Sequence, residues 1–270
     1  MPEKTVFIKQ SCLLPAKAVR RLRATALACG LLTAIQTPQS MAADSYGAPI
    51  GPGGASTYGP YATAIGYGAV ANEMGTSLGY QASAATQEST VVGYGARANN
   101  GANASAFGFM ANAEGSGSVA IGTNSHANSL SGGSIAIGSE SEALGGIAIG
   151  PLSQSTGEDT IAMGHEANAT NGSAMALGDT AIATGNGSTA VGPLAVAFAS
   201  DGAGGYDQQA TADAFGYRAY ADGTQATAIG NNSRAIGSNA TTVRGWAFGG
   251  NATSLGTDAF ANGDMATAAG

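Results

Sequence analysis

Ser118-Val-Ala-Ile-Gly-Thr-Asn-Ser125 is followed by Gly133-Ser-Ile-Ala-Ile-Gly138 and then by Ile147-Ala-Ile-Gly150. Each stretch alternates over a few residues up to an apolar side chain and a glycine. Alternation of period two marks a strand, and the glycine after it marks a bend. The pair recurs in both directions. Its glycines are Gly66, Gly79, Gly93, Gly108, Gly122, Gly138, Gly150, Gly164, Gly178, Gly192, Gly216, Gly230 and Gly256, with Gly270 last and Arg244 standing in register between Gly230 and Gly256. Eight of the fourteen steps are 14 residues long, and only the step from 192 to 216 departs widely.

Small residues keep the same register. Ala or Ser follows three positions after the glycine (Ala69, Ala96, Ser125, Ala167) and again five after it (Ala71, Ala98), failing at Gly249. A unit this short cannot bury a face alone, so successive units must stack. The expected fold is an all-β parallel β-solenoid of about fifteen coils of roughly 14 residues. With coils ~4.8 Å apart, the rod is about 70 Å long.

Each coil offers one large apolar side chain before the glycine, and several offer a second three before it, such as Val119, Ile135, Ile147, Ile161 and Met175. Between these two positions Ala stands in eleven of fifteen units. The two sets point to opposite faces of the strand. A strand apolar on both faces is covered on both. The large residues are therefore expected to fill the coil and the alanines to meet a neighbouring chain. The threonines three before the glycine (Thr63, Thr76, Thr90, Thr189, Thr227, Thr241, Thr253, Thr267) are expected to point inward, because Ile, Val and Met share their row.

Composition agrees with a solenoid and excludes other classes. Glycine numbers 43 in 270 residues, against a charged content of 10%. Glycine weakens helix interiors, while collagen would need it at every third position with abundant proline, and there are 8 prolines. A hydrophobic content of 44% argues against disorder. Lys4, Lys9, Lys17, Arg20, Arg21 and Arg23 precede an apolar run, Ala24 to Ile35, and a small-residue exit at Met41-Ala-Ala43. This is the pattern of a secretory signal peptide, expected over 1–43. The run is too short to span a bilayer. Residues 44–60 read as a Pro/Gly-rich leader and 61–270 as the repeat domain.

Both cysteines, Cys12 and Cys29, fall within the signal segment. Residues 44–270 then hold four arginines, no lysine and sixteen acids, a formal balance of −12. That sign disfavours nucleic acid as a partner.

The same stretches, 118–125 and 133–138, resemble the head repeats of trimeric autotransporter adhesins, the YadA-like family. The resemblance covers about 63–270. It implies a left-handed parallel β-roll, a homotrimer, and a head that attaches to host extracellular matrix, a cell-surface receptor or other bacterial cells. It also implies export to the bacterial outer-membrane surface or beyond. Family members continue into a coiled-coil stalk and a membrane anchor. Here the repeat register runs to Gly270 with no transmembrane segment, so anchoring follows from kinship alone.

No enzyme chemistry is expected, and no cofactor or metal. His126 and His165 are the only histidines, both expected to face solvent, and residues 44–270 hold no lysine to serve a phosphate loop. Carboxylates such as Glu140, Glu142, Glu158 and Asp159 are expected to keep the rod soluble. Two breaks in the period are candidate binding points. One is an insertion near 198–207 that contains Tyr206 and Asp207, since insertions in solenoids emerge as side loops. The other is Arg244-Gly-Trp246, because Arg and Trp are favoured at binding hot spots. Tyr67, Tyr80, Tyr94, Phe109 and Tyr217 each follow a repeat glycine and suggest an aromatic ladder, preferentially at a chain–chain seam. The alternative function from another class is an ice-binding solenoid, which needs an unbroken exposed threonine row.

Overall fold

The computed structural model describes residues 48–50, 54–129, 132–199 and 211–270. The chain divides into two units, Met1–Ala42 and Ala43–Gly270, and every described residue belongs to the second. The expected signal segment and the insertion residues Tyr206 and Asp207 lie outside the described residues.

The second unit is a parallel β-solenoid made of two sheets, with no helix among the described residues. Sheet 1 has 16 strands and begins at Ala48–Ile50; sheet 2 has 15 and begins at Ser56–Tyr58. The chain alternates between them, so each strand pairs in parallel with the strand one coil on. Sheet 1 carries the apolar-Gly strands. Ile135–Ile137 pairs with Val119–Ile121 on one side and Ile147–Ile149 on the other, with Ala136 opposite Ala120 and Ala148. Sheet 2 carries the small residues after the glycine, as in His126–Ala127, Glu142–Ala143 and Gln154–Ser155.

The expected assignment of faces is reversed. Ala106, Ala120, Ala136, Ala148 and Ala162 are fully buried, and so are their sheet 2 counterparts Ala113, Ala127, Ala143 and Ala169. Their large neighbours point outward, with Ile121 38% and Met163 42% exposed. Each coil is therefore filled by four small side chains. Ala174, Ala176, Ala181 and Ala183 fill one, while Ser118, Ala120, Ser125 and Ala127 fill another. The bulkiest fully buried side chains are Val91, Thr160 and Thr242. With so few residues per turn, the two sheets lie too close to admit Ile or Leu between them. The threonine row is corrected in the same way. Thr63, Thr76 and Thr90 alternate with buried Ala64, Ser77 and Val91 and so share the outer face.

Buried hydroxyls are satisfied within the turns. Ser153 Oγ donates to the Gly150 carbonyl at 2.8 Å, as Ser233 Oγ does to Gly230. Thr160 Oγ1 donates to Gly157 at 2.8 Å. Such pairing is what permits Ser and Thr inside a dry core.

The turns are bonded from coil to coil as well. Gly150 N donates to Ile137 O at 2.7 Å and Leu152 N to Ser139 O at 2.9 Å. The repeat glycines from Gly66 to Gly256 adopt φ between 115° and 142°. Two residues on, the chain enters the left-handed helical region, occupied by Asn124 (54°), Glu140 (56°), Leu152 (58°) and Glu166 (54°) among others. Ordinary L-residues avoid this region, and coil-to-coil bonding holds them in it.

At the C-terminal end the second turn adopts the conformation of the first. Gly223, Gly237, Gly249 and Gly263 have φ of 133°, 117°, 119° and 116°, matching Gly216, Gly230 and Gly256. The unit there is seven residues, half a coil, a period the 14-residue alignment concealed.

Candidate functional site

The coil containing Arg244 is where the regular wall is broken. In its neighbour, four residues (230–233) join the strand ending at Ile229 to the one starting at Arg234. Between Val243 and Trp246 there are two. Arg244 still donates its amide to Ile229 O at 2.8 Å, as a repeat glycine would, but its φ is 58°. One residue thus takes both the glycine position and the left-handed position, and the coil's edge is notched. This also explains why the small-residue register slips at Gly249: Ala235 pairs with Ala247, three after Arg244.

The notch has a volume of about 1020 Å³ and is lined from five successive coils. Arg218, Arg234 and Arg244 all line it, together with Tyr220, Trp246 and Asp258. On the outer face of sheet 2, Tyr220, Arg234, Trp246 and Phe260 are successive register partners. Arg234 lies over the Tyr220 ring at 5.1 Å and the Phe248 ring at 5.9 Å, and Arg218 over Tyr217 at 5.2 Å. Among the described residues none of the three guanidinium groups is in an ion pair; the ion pairs all involve the histidines.

Trp246 is 46% exposed yet fixed. Its Nε1 donates to Asn232 O at 3.1 Å, and its ring meets Phe260 edge-on at 6.2 Å. Burial, reinforced by the Asp222 carboxylate, raises the Tyr220 hydroxyl above its ordinary value. The phenol therefore stays protonated at neutral pH and donates to Asp222 Oδ2 at 3.1 Å.

The two breaks in the period named candidate binding points, and the structure describes one of them, at Arg244 and Trp246. It adds Arg218, Arg234 and Tyr220, which the sequence reading passed over. A signal was available: three of the four arginines in 44–270 fall within 218–244.

The aromatic ladder forms at the other end. Tyr67, Tyr80, Tyr94 and Phe109 stack in sequence, with centroids 5.4, 5.0 and 5.2 Å apart and planes within 13°. All four are exposed, and Tyr217 is not part of the stack. His165 is exposed as expected, with Nδ1 3.2 Å from Asp179 Oδ1. His126 is not fully solvent-facing: it is half-buried between Glu114 and Glu142 at 3.8 and 4.0 Å. Among the described residues no cluster of acids and histidines could hold a metal ion. Among the described residues no helix is long and apolar enough to cross a membrane.

With this geometry in hand, a family model described as the YadA head domain repeat matches residues 58–76, 72–96, 100–125, 141–167, 169–195 and 214–233. The chain belongs to the YadA-like head family. No curated protein gives a match. The last matched segment takes in Arg218 and Tyr220 and ends at 233, one residue before Arg234. The YadA-like head is an adhesin-type module, and as a class such heads are trimeric, surface-exposed or extracellular, and not enzymatic.

Proposed function

We propose that this chain is the head of a trimeric adhesin, exported to the bacterial surface, which attaches to host extracellular matrix, a host cell receptor or other bacterial cells. The observation that carries the reading is the outer face of sheet 1. Two parallel rows, Val119-Ile135-Ile147-Ile161-Met175 and Ile121-Ile137-Ile149-Met163-Leu177, run up its middle coils in unbroken register. Monomeric soluble proteins rarely expose a continuous apolar patch of this kind. The core of each coil is already full, so these rows serve contact with another chain. Three chains side by side would present many copies of a weak site, and attachment would rest on avidity.

Purified 44–270 is expected to show a mass near three chains by light scattering. Ile135→Asp combined with Ile149→Asp is expected to lower it to one chain while leaving the strand signal in circular dichroism. A wild-type monomer would count against the trimer. Beads coated with the trimer are expected to stick to matrix-coated wells or cultured cells. Equal retention on albumin-coated wells would count against adhesion.

The ice-binding alternative is weakened by the outer row itself. Threonine fills its two ends, but Ser105, then Val119 through Met175, and later Asp213 interrupt it. Thermal hysteresis is expected to be nil.

A further inference from the structure

We propose that the notch at Arg244 is a binding site for an anionic sugar, its carboxylate or sulfate held by Arg218, Arg234 and Arg244 and its pyranose ring laid on Trp246. The adhesin reading supplies only the biological use of such a site; the binding chemistry is argued from the notch alone.

Charge is the first part of the argument. Residues 44–270 are strongly acidic, with four arginines and no lysine. Three of those four converge on one notch, from three successive coils. Arginines so placed repel one another, and a rod that needed only solubility would spread them. None is neutralised by an ion pair among the described residues. Among the described residues Asp258 is the one acid lining the notch, and Asp222 is already engaged by the Tyr220 hydroxyl. Guanidinium groups recognise carboxylate and sulfate through paired N–H donors. Two of the three rest over aromatic rings, which orders them before any ligand arrives and lowers the entropy lost on binding.

Shape is the second part. The apolar floor is contributed by Trp246, with Phe248 and Phe260 continuing beyond it. Trp246 is held in place at its nitrogen, so an exposed ring stays available for the flat apolar face of a sugar. Arg218 and Arg244 are two coils apart, on the order of 10 Å, so acidic groups on adjoining sugars could meet both. A neutral glycan would leave the arginines unused, and a bare phosphate would leave the indole unused.

Trp246 is the only tryptophan in the chain, so its fluorescence reports on the notch directly. The mature chain in its native assembly would be titrated with heparin fragments, hyaluronate fragments, neutral dextran and single-stranded DNA. A fluorescence change with heparin, hyaluronate or both, but not dextran, is expected, and it should weaken as salt is raised. Heparin alone would identify sulfate as the bound group, and hyaluronate alone carboxylate. Arg218→Asn with Arg244→Asn is expected to weaken binding about tenfold or more, asparagine being chosen because it tolerates the left-handed backbone at both positions. Arg234→Gln provides an independent variant on a regular strand.

No response to either acidic sugar at low salt would overturn the proposal. DNA binding as tight as the sugars would reduce the notch to a general polyanion patch and overturn the sugar assignment. Arginine variants that lower the assembly's mass would instead make the notch a subunit seam. If the head still attaches to matrix while ignoring both acidic sugars, this site falls and the adhesin reading stands.

Discussion

Ala162→Leu is expected to break the solenoid, whereas Ile161→Ala, one residue away, leaves it standing. Ala162 is fully buried, flanked in sheet 1 by Ala148 and Ala176 and packed in a cluster with Ala167 and Ala169. The coil's other inward side chains are Ala167, Ala169 and Thr160, the last held by its hydrogen bond to Gly157, so the added atoms must push the two sheets apart. Overpacking in ordinary cores costs typically 1–3 kcal/mol, and here about 3 kcal/mol or more is expected. In a solenoid each coil is stabilised by the coils beside it, so a break at 162 uncouples the two halves. Thermal unfolding should lose its single transition, and limited proteolysis should cut near the altered coil. Ile161 faces outward, and its truncation should alter self-association more than the strand signal. If Ile161→Ala proved the more damaging of the two, the assignment of faces would be wrong.

Gly150→Ala is expected to be nearly as severe, although it adds one methyl group. Gly150 has φ of 130°, which L-residues rarely adopt, and a Cβ placed there would lie 2.4 Å from the Gly164 carbonyl oxygen. The obstacle is backbone of the next coil, tied by Gly164 N to Ile149 O at 2.8 Å, and cannot rotate away. Strain and clash together are expected to cost about 3 kcal/mol or more. Gly117→Asn is the contrast. Its φ is 67° and the nearest atom to a new Cβ is 4.0 Å away, at Gly133. Turn positions of this kind already hold Asn103, Asn124 and Asn239. Denaturant titration should place Gly117→Asn within about 1 kcal/mol of the parent. Similar losses for both variants would mean that glycine is retained for a reason other than stacking.

These predictions depend on different parts of the chain's legibility. The Gly150 column could be read directly, because a glycine that recurs every coil shows where the backbone itself is in contact. The left-handed turn residues could not. Met110, Glu140, Leu152 and Arg218 share no side-chain chemistry, and the hydrogen bonds that hold them come from neighbouring coils. The seven-residue half-period was also hidden. Gly59 near the start and Gly223, Gly237, Gly249 and Gly263 at the end place a glycine at the matching point of the second turn, while the coils between make that turn from mixed residues such as Gly115-Ser-Gly117 and Glu158-Asp159.

The candidate site was half visible. Arg244 and Trp246 announced themselves by breaking the repeat. Arg218, Arg234 and Tyr220 sit at permitted variable positions of regular coils, so nothing in the period singled them out. They became a site only through stacking, which brings residues 14 apart in sequence to within one strand spacing of each other.

By itself the sequence determined the coil, the two strands in it, the direction of stacking and the family to which the head belongs. All of these follow from spacing, and spacing survives in one dimension. It did not determine which side of each strand faces in. Period two divides Ile135-Ala136-Ile137 into two faces, both apolar, and hydrophobicity alone favours burying the larger. The tertiary structure decided for alanine, because two sheets joined by turns this short leave room for four small side chains and no more. The isoleucines displaced by that limit form the outer wall, and their exposure is the ground on which the trimer is proposed.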